Sequence, residues 1–159
     1  MKKYSMLLLG ILTLLLFWGC TSSEDEAKMI PSKYKNISNT YKGEDFQLSM
    51  NSSKDFYSPF LDEITFEMKH QGKGIVTFGT PFIVERYKDG EWYKVPFRGD
   101  YGFNSIGLTL NFNYNTYNQT VSMREYGLNF EKGVYRFVKD FDIEDSRKKF
   151  TLAAVFKVE

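Results

Sequence analysis

The chain has 159 residues, of which 42% are hydrophobic and 18% aromatic, and 21 basic residues stand against 20 acidic ones. This near-neutral balance leaves no basic excess to neutralise phosphates, which argues against a nucleic-acid partner. The single cysteine excludes an internal disulfide. Stability must therefore come from packing, for which the aromatic side chains supply large buried areas.

The first twenty residues have the layout of a secretory signal. Lys2 and Lys3 give a positive start, residues 6–18 form an apolar run, and Gly19 directly precedes Cys20, the only cysteine. The apolar run of about 13 residues is shorter than the roughly 20 that a membrane-spanning helix needs. These features predict a signal peptide over residues 1–19 and an exported protein.

A cysteine at this junction resembles the lipobox of bacterial lipoproteins, in which the cysteine is lipidated and becomes the mature N-terminus. Phe17 and Trp18 depart from the aliphatic and small residues that usually precede the lipobox glycine. The resemblance implies a lipid on Cys20 and a protein anchored at the outer side of the cell membrane. The alternative is an ordinary signal peptide, or an uncleaved anchor, with Cys20 placed there by chance.

Residues 20–44 are polar and charged, and they lack apolar periodicity apart from Met29 and Ile30. Such a composition is typical of a flexible linker. The sequence therefore predicts a tether over residues 20–44 and a folded domain over residues 45–159.

From Phe46 onward, apolar and polar residues alternate, which is typical of half-buried strands. Turn residues separate eight or nine such runs, and no stretch has convincing helical spacing. The pattern predicts an all-β domain with two stacked sheets, and a small closed barrel is the alternative. The clearest alternating residues are Phe46, Leu48 and Met50; Ile64, Phe66 and Met68; Ile106, Leu108, Leu110, Phe112 and Tyr114; and Phe150, Leu152, Ala154, Phe156 and Val158.

A hairpin is predicted at Asp89-Gly90, because Asp-Gly between alternating runs favours a two-residue turn. This loop sets a register with two opposite-charge pairs, one aromatic pair and one β-branched pair, each worth roughly 0.2–1 kcal/mol. The predicted pairs are Lys88 with Glu91, Tyr87 with Trp92, Arg86 with Tyr93, Glu85 with Lys94, and Val84 with Val95.

Three motifs resemble the signatures of a bacterial immunoglobulin-like domain family that is common in exported proteins and lipoproteins of Gram-positive bacteria. They are Phe78–Tyr87 with Asp89–Phe97, Tyr126-Gly127 with Gly133–Lys139, and Leu152–Val158. The resemblance covers residues 46–159, although residues 99–120 match only in their alternation, and Lys132 stands where the family usually has proline. It implies an immunoglobulin-like β-sandwich of about seven to nine antiparallel strands and no well-defined activity.

Two aromatic residues in these motifs are predicted to be structural. Gly133, two places before Tyr135 at the start of a strand, has the layout of a tyrosine corner, in which the phenol hydroxyl bonds back to nearby main chain. Trp92 is predicted to pack against the opposing sheet. For Trp92 the alternative is a platform for ligand binding.

No catalytic or metal-binding constellation is recognisable in the sequence. His70 is the only histidine, and its place at the end of a strand predicts a structural residue. The acidic run 140–145 has oxygens at alternate positions, as a calcium loop does, but Asp145 occupies the place of the loop glycine. We therefore expect no enzymatic activity, no cofactor and no metal.

The predicted function is that of a non-catalytic binding or accessory module at the cell surface, with a protein or a carbohydrate as the partner. The predicted binding surface consists of Tyr101, Phe103, Tyr114 and Tyr117, because exposed rings can stack and nearby asparagines can form hydrogen bonds. The alternative for residues 111–120 is a pair of strands joined near Asn115, with Phe112 and Tyr114 buried. An alternative function is an exported proteinase inhibitor that presents a loop such as residues 99–104.

Overall fold

The computed structural model describes residues 29–99, 101–144, 146 and 148–159, so the predicted signal peptide and Cys20 lie outside the described residues. One helical turn, Met123–Tyr126, follows the tenth strand. No helix in the described ranges combines the length and apolarity needed to cross a membrane. The strands are β1 (Ile30–Pro31), β2 (Thr40–Lys42), β3 (Phe46–Ser52), β4 (Phe56–Tyr57), β5 (Glu63–Gly72), β6 (Val76–Phe78), β7 (Ile83–Lys88), β8 (Glu91–Lys94), β9 (Leu108–Leu110), β10 (Thr116–Ser122), β11 (Gly133–Ile143) and β12 (Lys149–Val158).

The strands form two sheets. The larger sheet has the order β1-β8-β7-β11-β12-β4, and β6 joins it by pairing with both β11 and β9. The smaller sheet has the order β10-β5-β3-β2. All pairs are antiparallel except β4 with β12. The sandwich prediction is confirmed and the barrel alternative is wrong.

The core lies between the facing sides of the two sheets. Phe66 of β5 stacks on Phe137 of β11 with ring centroids 3.9 Å apart, and Phe156 of β12 meets Phe66 edge-on at 5.8 Å. Burying each such side chain stabilises the fold by about 1.5–3 kcal/mol. The alternation predicted for β3, β5 and β12 is confirmed, since the same core contains Leu48, Met50, Ile64, Met68, Leu152, Ala154 and Val158.

The predicted β7–β8 hairpin is confirmed in turn and register. Asp89 and Gly90 have φ angles of 52° and 89°, the left-handed conformation that this two-residue turn requires. Neither of the two opposite-charge pairs forms an ion pair, however. Glu85 lies opposite Lys94 in the register, but its carboxylate binds Arg136 of β11 instead.

The tether prediction is wrong for residues 30–42, which belong to the folded domain. β1 pairs with β8, and β2 pairs with β3 through Thr40 opposite Ser49. Main-chain hydrogen bonds hold this segment, for example from the Ser32 amide to the Trp92 carbonyl at 2.8 Å. Such bonds leave no apolar periodicity in the sequence, and this is why the segment has the composition of a linker.

The long strand expected over residues 106–114 is also wrong. Only Leu108–Leu110 forms a strand, and Phe112 and Tyr114 are 74% and 72% exposed rather than buried. The side chain of Asn111 accepts hydrogen bonds from the amides of Asn113 and Tyr114, at 2.9 and 3.0 Å. This local turn ends the strand before the alternation ends.

Candidate functional site

An apolar depression of about 310 Å³ lies beside the end of β8. We call it the aromatic depression. Phe82 forms its buried floor, and the rings of Phe97 and Phe103 lie 5.2 and 5.3 Å from the Phe82 ring. Tyr101, which is 39% exposed, meets Phe97 edge-on at 4.9 Å. The remaining lining residues are Met29, Ile30, Ile83, Lys94, Val95 and Pro96.

Two glycines let the segment that carries these rings approach the helical turn. A side chain on Gly99 would place its first carbon 2.1 Å from the Glu125 carbonyl oxygen, and one on Gly127 would meet Gly99 at 2.3 Å. Gly127 also ends the helical turn with φ 59°, a left-handed conformation. The Tyr126 carbonyl accepts the Gly99 amide at 3.1 Å, which fixes the start of the segment.

The Tyr126 ring packs against the rings that line the aromatic depression. Its ring lies 4.9 Å from Phe82 and 5.5 Å from Tyr101. Burial, assisted by the nearby Glu125 charge, raises the pKa of the Tyr126 phenol. The hydroxyl therefore stays protonated and neutral through the physiological range.

A buried lysine fixes the chain that leads into Phe82. The Lys139 ammonium donates to the carbonyl oxygens of Gly79 and Pro81, at 2.6 and 3.0 Å. Burial lowers the pKa of Lys139 to about 8, and the charge of Asp140 opposes this shift only in part. The lysine is thus a structural cross-link, and its two acceptors are neutral carbonyls.

Thr80, which lies between Gly79 and Pro81, is bound by a residue of the smaller sheet. Gln119 of β10 donates its side-chain amide to the Thr80 carbonyl at 2.9 Å. The Thr80 hydroxyl in turn donates to Asn104 at 3.1 Å. Residues 79–81 are therefore held from both sheets, and this gives the aromatic depression a rigid floor.

A second feature lies on the outer face of the larger sheet, where residues 30–36 form what we call the N-terminal strap. The Arg136 guanidinium donates to the carbonyls of Tyr34 and Lys35, at 3.0 and 3.2 Å. The same group binds the Glu85 carboxylate at 2.6 Å, and the side chains of Arg136 and Glu85 are only 3% and 0% exposed. The strap therefore buries an ion pair that would otherwise face solvent.

Trp92 lies on this outer face, so the prediction that it packs against the opposing sheet is wrong. The Arg136 guanidinium carbon lies 4.2 Å from the centroid of its ring, and Tyr87 lies 5.1 Å away. Alternation along β8 shows that Trp92 and Tyr93 face opposite sides. It does not show which side is the core when both sides are covered.

The Tyr135 hydroxyl donates to the Glu131 carbonyl at 2.8 Å, four residues upstream, which is the hydrogen bond of a tyrosine corner. Gly133 begins β11 between these two residues. Arg86 covers the corner, with its guanidinium carbon 5.7 Å from the Tyr135 ring centroid and a 2.6 Å ion pair to Glu131. Burial raises the pKa of Tyr135, against the lowering effect of the Arg86 charge.

His70 and the acidic run have structural contacts. His70 is buried and stacks on Phe46 at 5.5 Å, and burial lowers its pKa so that the ring is neutral. Asp140 accepts a hydrogen bond from Thr151 at 2.6 Å, and Asp142 pairs with Lys149 at 3.1 Å. Among the described residues, no three acidic, histidine or cysteine side chains are grouped to hold a metal ion.

The four residues of the predicted binding surface have different surroundings. Tyr101 and Phe103 lie together, 5.6 Å apart, in the aromatic depression. Tyr117 is half-buried and packs edge-on against Phe78 at 5.3 Å. Tyr114 projects from the β9–β10 turn and is 72% exposed. Only the first two therefore belong to the depression.

The fold and its motifs agree with a family assignment. The family model described as "Bacterial Ig-like domain" matches residues 44–157. The chain belongs to this bacterial Ig-like domain family. No curated protein gives a significant match to the chain.

Within the bacterial Ig-like domain, sequence reasoning missed Phe82 and Phe97 as lining residues of the aromatic depression and Tyr126 as the ring that packs against them. They lie 15 or more positions apart in the chain, and no local pattern joins them. The concentration of rings at Phe97, Tyr101 and Phe103 is the one signal that marks the segment. The family match accounts for the β-sandwich, whereas the aromatic depression is defined only by the three-dimensional arrangement of its rings.

Proposed function

We propose that this protein is an exported, lipid-anchored binding module that captures a protein partner in the aromatic depression. The observation that carries the proposal is a ring-lined concavity in which Tyr101 remains 39% exposed above the buried Phe82. Aromatic side chains in partly enclosed sites dominate the binding energy of many protein interfaces. The site is concave and mostly apolar, which suits a hydrophobic anchor side chain.

The chemistry of the lining favours a peptide over a sugar. Its side chains are mainly hydrocarbon, and Lys94 is the single charged residue among them. Sugar hydroxyls need several hydrogen-bonding partners, whereas an aliphatic or aromatic side chain of a protein needs apolar contact. A protein partner with one exposed apolar anchor is therefore the expected ligand.

The packing of residues 101–103 favours this role over proteinase inhibition. An inhibitory loop must present its side chains to a protease cleft. The Phe103 ring is instead engaged with Phe82 and with Tyr126, whose ring lies 5.9 Å away. The rings of this segment thus form a receiving surface.

Binding is tested by crosslinking on intact cells that carry the tethered protein, comparing Tyr101→Ala with Tyr114→Ala. Tyr101→Ala should reduce capture of the partner about tenfold, which is about 1.4 kcal/mol. Tyr114→Ala is the matched control, because Tyr114 is exposed outside the depression. Equal capture by the two variants would remove the depression from consideration.

The anchor is tested separately. The positive start, the apolar run and Gly19 before Cys20 support lipidation. Labelled palmitate should enter the wild-type protein and be absent from Cys20→Ser, which should accumulate as an unmodified form. Equal labelling of both proteins would contradict the anchor and leave the binding proposal standing.

A further inference from the structure

The outer edge of β10 differs from the other sheet edges. Its seven residues, Thr116–Ser122, contain neither a charged residue nor a proline. The other edge strands are short: β1 and β4 have two residues each, and β2 and β9 have three. β1 also contains Pro31 and β2 contains Lys42. Shortness, proline and lysine are the usual protections against edge pairing, and β10 has none of them.

Two hydrogen bonds show which main-chain groups of β10 face outward. The His70 amide donates to the Asn115 carbonyl at 2.7 Å, and the Met123 amide donates to the Asp62 carbonyl at 2.8 Å. In an antiparallel pair such bonded positions alternate with positions that point away from the partner strand. Both bonds involve odd-numbered residues that flank β10, namely Asn115 and Met123. The main-chain amides and carbonyls of the even-numbered residues of β10 therefore point away from β5.

The outward-facing residues are Thr116, Asn118 and Thr120, together with Ser122 at the end of the strand. The main-chain amides and carbonyls of Thr116, Asn118 and Thr120 point away from β5 and have no hydrogen-bond partner among the described residues. Their side chains are exposed on the outer face of the smaller sheet. This edge therefore offers a row of free donors and acceptors about 20 Å long.

We propose that β10 pairs antiparallel with β10 of a second copy of this chain, with the two-fold axis at Gln119. This register aligns all seven residues and makes bonded pairs of the outward-facing positions. Across the axis it places Thr116 opposite Ser122, Tyr117 opposite Val121, and Asn118 opposite Thr120. The two four-stranded sheets then form one continuous eight-stranded sheet.

The composition of β10 favours a second copy over a different partner. In a two-fold contact, a charge close to the axis would lie near the same charge on the second copy, which disfavours pairing. β10 has no charge, and its inner-face pair of Tyr117 with Val121 is an aromatic and β-branched contact of the favourable kind. An edge without charges gives an oppositely charged peptide nothing to recognise.

A register-specific crosslink tests the proposal in the full-length chain. Asn118→Cys and Thr120→Cys are expressed as two separate chains in one cell and oxidised. Opposing α-carbons in a bonded antiparallel pair lie about 5.5 Å apart, within disulfide range. In either variant alone, the two cysteines are displaced along the strand by about 7 Å and should crosslink weakly. Wild-type protein, which keeps Cys20, gives the background.

Two further variants block the edge. Thr120→Pro, made in the Asn118→Cys chain, removes an outward amide that β5 does not use. Asn118→Lys, made in the Thr120→Cys chain, places a charged side chain on the edge, which is one of the usual protections against strand pairing. Each should lower the dimer yield about tenfold or more. Asn51→Lys is the matched control, since Asn51 is exposed on β3 away from this edge. Tyr101→Ala, which tests the aromatic depression, should crosslink like the parent.

Three results would overturn self-pairing. One is a mixed sample that yields no more crosslinked dimer than the single variants. Another is a dimer that persists undiminished with both Thr120→Pro and Asn118→Lys. The third is a crosslinked product that contains a different protein, because the edge would then receive another chain.

Discussion

The Arg136 guanidinium binds the Glu85 carboxylate at 2.6 Å, and both side chains are almost completely buried on the outer face of the larger sheet. Val84 and Phe137, their neighbours in sequence, point into the core. β7 and β11 are therefore covered on both faces, by the smaller sheet on one side and by the N-terminal strap on the other. The ion pair depends on the strap for its burial, and the Tyr34 and Lys35 carbonyls of the strap depend on Arg136 for their hydrogen bonds.

Removing one member of the pair should be costly. Arg136→Met leaves a buried carboxylate without a partner, and such a change destabilises a protein by about 3–5 kcal/mol. The double variant Glu85→Leu/Arg136→Met removes both charges and should recover most of that loss. Urea unfolding of the three proteins measures the difference in the free energy of unfolding.

The control for this experiment is Lys149→Met, which breaks the exposed pair with Asp142. The two side chains are 77% and 43% exposed, so the loss should stay below about 1 kcal/mol. If Arg136→Met also lowered the free energy of unfolding by less than about 1 kcal/mol, the strap would not shield the Arg136–Glu85 pair from water.

The strap can be tested by its own removal. A chain that begins at Ile37 should be less stable than one that begins at Met29 by about 2 kcal/mol, because Arg136 donors lose their acceptors. Trp92 is the only tryptophan in both chains, so its fluorescence reports on this face. We expect a red shift and faster quenching by iodide in the shorter chain. An unchanged spectrum would contradict the packing of the strap near Trp92.

The parts of the fold that could be predicted from the sequence are those that depend on residues close together in the chain. The β7–β8 hairpin follows from Asp89-Gly90 and from cross-strand pairs within a few positions of the turn. The strap was missed because Arg136 recognises main-chain carbonyls about a hundred residues earlier, and any sequence supplies carbonyls. A polar segment can therefore be ordered by main-chain hydrogen bonds to distant parts of the chain.

The candidate site shows the same limit. The aromatic residues of the 97–103 segment marked a surface, but their role depends on Phe82 and Tyr126, which arrive from other parts of the chain. Tyr114 belongs to an equally aromatic stretch and lies exposed, because Asn111 turns the chain there. Composition alone does not separate these two cases.

The tyrosine corner gives a third prediction. Tyr135→Phe removes the hydrogen bond to the Glu131 carbonyl and keeps the buried ring, so stability should fall by about 1–2 kcal/mol. Tyr114→Phe removes the same hydroxyl from an exposed side chain and should change stability by less than about 0.5 kcal/mol. Thermal or urea unfolding compares the pair. Equal effects at the two positions would mean that the corner contributes nothing to stability.

The last prediction concerns pH and Lys139. Burial lowers its pKa in the folded state to about 8, below the value of 10.5 for an unperturbed lysine. Between these values the unfolded chain binds more protons than the folded one, so the lysine's contribution to stability rises with pH. Below about pH 8 both states are protonated and the contribution is constant.

Lys139→Met removes this titration and isolates it from the other groups. The free energy of unfolding of the wild type, relative to that of Lys139→Met, should increase by about 2 kcal/mol between pH 8 and pH 10. Urea unfolding of both proteins at several pH values measures the difference. A difference that stays flat, or that falls as pH rises, would contradict the lowering of the Lys139 pKa by burial.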